Sequence, residues 1–141
     1  MKYIGFNGRQ YNINPTDYIV YGNDELSRSS LHLKARKILK SLFPRDIILE
    51  EISLPGSSKG STGTLRLDFL IETYKLGIEV HGEQHYKFNS HFYKDKSHFL
   101  LALKRDSVKM DWCDMNGITL VELPYNESED EWKRRIKKSV C

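Results

Sequence analysis

Cysteine is almost missing from this chain. Cys113 and the terminal Cys141 are the only two, too few for a disulfide framework or a cysteine-rich zinc site. That scarcity suits a reducing compartment, and an intracellular, cytoplasmic protein is expected. Long apolar runs are missing too: none approaches the roughly 20 residues that span a bilayer. The opening MKYIGFNGRQ has no extended apolar centre of the kind a secretion signal carries. No membrane association is therefore expected. Nor does charge of one sign dominate, since 22 basic residues face 19 acidic ones for a net +3 and a pI near 8.8. Such a balance tolerates a polyanionic partner without requiring one.

What is present fits one domain with a single site. The 141 residues, 39% of them hydrophobic, can bury a real core but cannot form two ordinary domains. The basic residues are unevenly placed: Lys34, Arg36, Lys37, Lys40 and Arg45 crowd one stretch, and Lys133, Arg134, Arg135, Lys137 and Lys138 another. Each cluster alone reads first as a solvated helix face.

Residues 1–28 form a zone rich in Tyr, Asn and Gly, read as a small β appendage to a main domain over 29–141. Asn7-Gly8 predicts a type I′ hairpin turn, because both central residues tolerate positive φ. Its tyrosines either stack on bases or, the commoner use, pack against the body. Ser29 or Ser30 caps a predicted helix running to about Phe43, with Leu31, Ala35, Ile38, Leu39 and Leu42 at helical spacing and Pro44 as the stop. A strand is expected over 47–54, followed by a Gly/Ser-rich loop carrying Lys59. Two further strands, over 65–72 and 75–82, meet at a tight Thr73-Tyr74 turn. A long helix over 95–116 ends at Gly117, a strand over 118–123 ends at Pro124, and Ser128 with Glu131 has the spacing of a capping box opening a last helix. After the appendage the order is α, β, β, β, α, β, α, an α/β (α+β) fold with a mixed central sheet flanked by helices.

The chemistry concentrates in 67–85. Pairing through Thr73-Tyr74 puts Asp68 opposite Glu79, and like charges that close are destabilising unless something positive lies between them. A divalent cation answers that need, and oxygen ligands of this kind suit Mg²⁺ or Mn²⁺. His81, two residues beyond Glu79, shares its face and can accept or relay a proton near neutral pH. Leu76, Ile78 and Val80 point the other way, beneath a helix. On the long helix Phe99, Leu103, Met110 and Cys113 form a stripe that Asp106 interrupts. A carboxylate there needs a partner. Arg105, Lys109 or His85 could supply one structurally; alternatively Asp106 binds a metal-bound water or orients His81. His81 and His85 are four apart, but they bracket a glycine at a strand end instead of sharing a helix face, which argues against a zinc pair.

These landmarks, taken in order, resemble the PD-(D/E)xK nuclease superfamily, and within it the very-short-patch-repair-like endonucleases and EDxHD homing enzymes. They are Ser53, Leu54, Pro55 and Gly56; Leu67, Asp68 and Phe69; Ile78, Glu79, Val80, His81 and Gly82; Gln84 and His85; and Lys104, Arg105 and Asp106. The resemblance covers 29–125 and implies the restriction-endonuclease-like core order αβββαβ. It implies Asp68 as central metal ligand, Glu79 as a second and the Val80 carbonyl as a third. It places His81 where many members carry a lysine, there to activate water or stabilise the transition state, and matches Asp106 to the last acid of EDxHD. One departure stands out: the acid that relatives carry early in the first helix is His32 here, so Glu50 or Glu51 replaces it, or the role is absent or altered.

The expected function is Mg²⁺- or Mn²⁺-dependent hydrolysis of a DNA phosphodiester, in a phage or mobile-element setting, by a monomer or homodimer acting on double-stranded DNA. Asp68, Glu79, His81, Asp106, His85 and Lys109 are the catalytic candidates, with Lys109 or Arg105 as electrostatic support. Lys34, Lys37, Lys59, Gln84 and Arg105 are the DNA-contacting candidates. Two rivals stand beside it: a non-catalytic DNA- or protein-binding module on the same fold, and a His-based zinc nuclease of the HNH type.

Overall fold

Ser29 starts the first helix. Its side chain accepts a hydrogen bond from the His32 amide at 3.1 Å, capping α1 (Ser30–Leu42), and Phe43 and Pro44 end it. The computed structural model describes residues 1–20, 28–59, 63–83 and 96–140. A four-stranded sheet follows the order β3 (Leu49–Ser53), β4 (Arg66–Ile71), β5 (Leu76–His81) and β6 (Thr119–Pro124). The first two pairings are antiparallel and the third is parallel. A parallel neighbour needs a crossover, and α2 (Lys96–Met115) lies in that connection, with Gly117 at φ 69 letting the chain leave the helix. Beyond β6, Ser128 and Glu131 make the reciprocal capping contacts that open α3 (Glu129–Val140).

The sheet is packed on both faces. On one side α1 and α3 bury Ala35, Ile38, Leu39, Trp132 and Ile136 against Phe69, Ile71, Leu76, Ile78 and Leu123. On the other, Val108, Trp112 and Cys113 of α2 lie against Leu49, Ile52, Leu67 and Leu70. That face is completed by the N-terminal hairpin, β1 (Lys2–Ile4) and β2 (Gln10–Asn12), whose Tyr3 ring centroid is 5.5 Å from that of Trp112. Asn116 fastens the hairpin by accepting from the Ile4 amide at 2.7 Å and donating to the Ile4 carbonyl at 2.9 Å. The described residues 1–20 thus share the core of the main body.

Three sequence expectations need correction. The Asn7-Gly8 connection is not a two-residue turn: pairing stops at Ile4 opposite Gln10, and Gly8, not Asn7, has positive φ. Asn7 instead accepts from the Arg9 amide and donates to the Tyr11 hydroxyl, while Gly5 lies against Gly56. The β4–β5 turn is wider than Thr73-Tyr74, a 3₁₀ turn over Glu72–Tyr74 closed by Lys75 in the left-handed region at φ 49. Its centre is unchanged, so the register is too: Phe69 faces Ile78, Leu70 faces Gly77 and Ile71 faces Leu76. On α2, Leu103 and Met110 are exposed, and the buried line runs through Val108, Trp112 and Cys113. Apolar residues surround this helix, so spacing alone does not select its inner face.

Candidate active site

The backbone ladder between β4 and β5 gives way just where the acids come together. Beyond Phe69 and Ile78, side chains take over its hydrogen bonds: the Asp68 amide donates to Glu79 Oε1 at 3.3 Å, and the Val80 amide donates to Asp68 Oδ2 at 2.8 Å. The register is the one the hairpin expectation requires, but the shared face is not. Leu67 lies in the α2-side core and Phe69 in the α1-side core, so β4 breaks alternation at Asp68, which joins His32 and Glu51 on the α1 side while Glu79 faces α2. A third strand is irregular at the same level. Glu51 has φ 51, a left-handed step unusual in a strand for a residue with a side chain, and it breaks the alternation of β3. Glu50 turns toward α1, Ile52 enters the opposite core, and Glu51 reaches the neighbourhood of Asp68.

Glu79 lies on the α2 side of the sheet. It is buried, and Lys109 Nζ is 2.8 Å from its Oε1. Burial and the Asp68 charge push the Glu79 carboxyl well above its ordinary value of 4.5, against the opposing pull of Lys109. For Lys109, burial pulls the ammonium down, but Glu79, Asp68 and Asp106 outweigh it and hold the group above its ordinary 10.5, hence charged. Asp106 is half-buried one helical turn before Lys109 and acts on it electrostatically. Cys113 sits deeper on the same face, its thiol raised to about 12 by burial first and Glu79 second. His81 is buried beside Glu79 on β5, with Nδ1 3.8 Å from Glu122 Oε2. Leu76 and Ile78 are buried on the other face against α1 and α3, and Val80 packs there partly, as strand alternation requires.

A cleft of about 440 Å³ opens on the α1 side, lined by Arg28, the first turn of α1 from Ser29 to His32, Glu51, Asp68, Val80 and Gly82. Here His32, Glu51 and Asp68 each offer one ligand atom, all within 4.8 Å of one another. His32 is only 6% exposed; its ring stacks on Phe69 at 4.5 Å, and Nε2 lies 2.6 Å from Glu50 Oε1. Arg36 grips both oxygens of Glu50, through Nε and Nη2, each at 2.9 Å. Burial raises the Glu50 carboxyl, but the hydrogen bonds and charges of His32 and Arg36 together hold it below its ordinary 4.5. Arg28 Nη1 approaches Glu51 Oε2 to 3.1 Å.

The structure thus joins Asp68, Glu79 and Lys109 and sets Asp106 beside Lys109, whereas of the expected ligands only Asp68 and Val80 line the cleft, and Glu79 and His81 do not. Gln84 and His85 lie outside the described residues. The basic candidates divide. Lys34 donates to the Glu127 carbonyl at 2.8 Å and covers the Trp132 ring, Lys37 is exposed, Lys59 lies 5.3 Å from the Phe6 ring centroid, and Arg105 is exposed. Sequence reasoning left out the His32, Glu50 and Arg36 network and Arg28. One sequence signal pointed toward the network: His32 and Arg36 are four apart, hence on one face of α1, and face a strand with two consecutive acids.

Three relatives, all uncharacterized iridovirus proteins, share part of this chain. Protein 307L of invertebrate iridescent virus 6 is 42% identical over 69 residues, which are 49% of this chain and 35% of that protein. Protein 033L of invertebrate iridescent virus 3 is 39% identical over 61 residues, 43% of this chain and 31% of its own. Protein 094L of frog virus 3 is 36% identical over 84 residues, 58% of this chain and 54% of its own. The chain spans about a third to a half of the length of these relatives. No family profile matches it, and no solved structure does. No described helix is long and apolar enough to cross a membrane.

Proposed function

We propose that the chain is a metal-dependent DNA endonuclease that hydrolyses phosphodiester bonds, on a fold resembling the PD-(D/E)xK nucleases. The observation that carries this reading is the meeting of Asp68, Glu79 and Lys109 from β4, β5 and α2 at the point where the strands part. Two carboxylates and a charged lysine at one opened end of a sheet suit phosphoryl chemistry, which rests on positioning and charge stabilisation.

The donor set fits a divalent ion. Asp68 keeps Oδ1 clear of its Val80 hydrogen bond, and His32 and Glu51 offer ligand atoms beside it. Mg²⁺ or Mn²⁺ bound there would polarise the scissile phosphate and supply a water of lowered pKa. The protein's own groups do the rest. Asp68 and Glu51 supply negative charge to hold the ion, and the buried Glu79–Lys109 pair fixes the Asp68 backbone from the α2 side. Arg28 and the first turn of α1, both lining the cleft, present positive charge and dipole to a phosphate oxygen. Exposed Lys37 and Arg105 with Lys59 contact phosphates outside the site.

Nicking of supercoiled plasmid tests this reading. Wild type should nick with Mg²⁺ or Mn²⁺ and stop when chelator is added, and Asp68→Ala and Glu79→Ala should not nick, while Asp68→Ala still shifts DNA in a gel. Cleavage by Asp68→Ala at the wild-type rate would eliminate this site. One observation favours the second reading, a non-catalytic DNA- or protein-binding module: Lys109 already neutralises Glu79. That reading predicts no nicking with either ion at any pH and binding unaffected by chelator.

A further inference from the structure

We propose that His32 is itself a metal ligand, through Nδ1 and together with Asp68 and Glu51, and that Glu50 clamped by Arg36 fixes it in that role, so the cleft takes Mn²⁺ ahead of Mg²⁺. This rests on the nuclease reading only in using the same cleft.

The tautomer follows from the clamp. A carboxylate receiving two guanidinium N–H bonds is an acceptor, so the proton in the 2.6 Å contact between His32 and Glu50 sits on Nε2. The lone pair is then on Nδ1. That nitrogen is the one Glu50 does not engage, on a buried ring that lines the cleft. A ring held by stacking on Phe69 and by an ionised carboxylate, and offering a nitrogen to a group completed by Glu51 and Asp68, suits the carboxylate–histidine–metal arrangement in which an outer acid orients the ligand and raises its basicity. Glu51 reaches the cluster through its left-handed backbone step, which directs two consecutive glutamates toward α1, the first to hold His32 and the second to stand beside it.

Replacing an oxygen by an imidazole nitrogen changes which ion is preferred. Mg²⁺ favours all-oxygen shells and sheds water reluctantly, whereas first-row transition ions accept imidazole and bind N/O sites in rising order from Mn²⁺. The nitrogen that α1 brings to the cleft through His32 therefore biases this site toward Mn²⁺.

The test uses the full chain without DNA. Calorimetric titration should give Mn²⁺ at least about tenfold tighter than Mg²⁺, and electron spin echo modulation of the Mn²⁺-loaded wild type should show a directly bound ¹⁴N. That spectrum needs no variant to fold. His32→Gln should remove the nitrogen coupling, weaken Mn²⁺ and narrow the gap to Mg²⁺; Glu50→Gln should weaken Mn²⁺ about 10- to 100-fold. His81→Gln should keep the coupling. Mn²⁺ bound without nitrogen coupling, or coupling lost with His81→Gln instead of His32→Gln, overturns this inference and leaves the nuclease reading standing if Asp68→Ala abolishes binding. No binding of either ion at millimolar concentration, with no nicking, overturns both.

Discussion

Lys109 Nζ and Glu79 Oε1 are 2.8 Å apart, and their side chains are 13% and 6% exposed. This ion pair joins α2 to the centre of the sheet, and its two members respond differently to being separated. Glu79 can escape by taking up a proton, because burial and Asp68 already push its carboxyl up; Lys109 has no such route at neutral pH.

Lys109→Met should therefore destabilise the metal-free protein in a pH-dependent way. A carboxyl whose pKa is higher folded than unfolded contributes stability that is complete below its unfolded value and lost as pH rises toward the folded one. Removing Lys109 raises the folded value further and extends that loss. Breaking a buried pair costs about 3–5 kcal/mol, so a loss near 3 kcal/mol is expected at pH 8 and clearly less at pH 5. Urea denaturation with chelator at both pH values measures it, and an equal loss at both would show that Glu79 does not buffer the pair.

Asp68 has a structural task and a chemical one, and two substitutions separate them. Asp68→Asn retains an acceptor for the Val80 amide, whereas Asp68→Ala leaves that N–H unpaired at a cost of about 1–2 kcal/mol. Both remove the negative charge, and both should abolish plasmid nicking. Asp68→Asn should unfold within about 0.5 kcal/mol of wild type. Nicking by the folded asparagine variant at the wild-type rate would show that the charge is not needed.

The hairpin chemistry was legible because it rests on counting. The alternation of Leu76, Ile78 and Val80 against Glu79 and His81 fixes the faces, and the turn centre fixes the register even though the turn is wider than Thr73-Tyr74. The Ser29 cap and the Ser128 and Glu131 box were legible for the same local reason. Glu50 and Glu51 were singled out only as alternatives for the acid missing at His32, since nothing local says that Glu50 will meet His32 and Arg36 and Glu51 will sit beside Asp68. That depends on how α1 lies on the sheet and on a left-handed step at Glu51 that its residue type does not favour. On α2 the failure was of a different kind: Leu100, Leu103, Met110 and Met115 are exposed apolar residues, so of the stripe with the right spacing only Cys113 is fully buried.

The backbone at Glu51 inverts a usual preference. Glycine normally weakens a strand relative to alanine, but at φ 51 an alanine keeps the left-handed penalty of about 1–2 kcal/mol that glycine escapes. Glu51→Gly should therefore be more stable than Glu51→Ala by about 1 kcal/mol, and both should lose affinity for the proposed ion. Thermal unfolding of the pair decides it. Alanine matching glycine would mean that the chain relaxes out of the left-handed region once the side chain is gone.

The N-terminal hairpin should behave as part of the core. Gly5 and Gly56 lie so close that a Cβ on Gly5 would sit 2.8 Å from the Gly56 Cα, and one on Gly56 would sit 2.6 Å from the Gly5 Cα. Backbone against backbone cannot yield, so alanine at either position must lever the hairpin away, stretching the 2.8 Å bond from the Phe6 amide to the Gly56 carbonyl and loosening Tyr3 from Trp112. Gly5→Ala should cost about 1–3 kcal/mol, the range for overpacking a tight contact, and Gly56→Ala about 1–2 kcal/mol more, because its φ of 65 adds the left-handed penalty. Because the same displacement relieves both clashes, the double variant should lose clearly less than the sum of the singles, an interaction that a denaturation cycle reads directly. Additive losses would mean two independent local distortions, with the hairpin still in place.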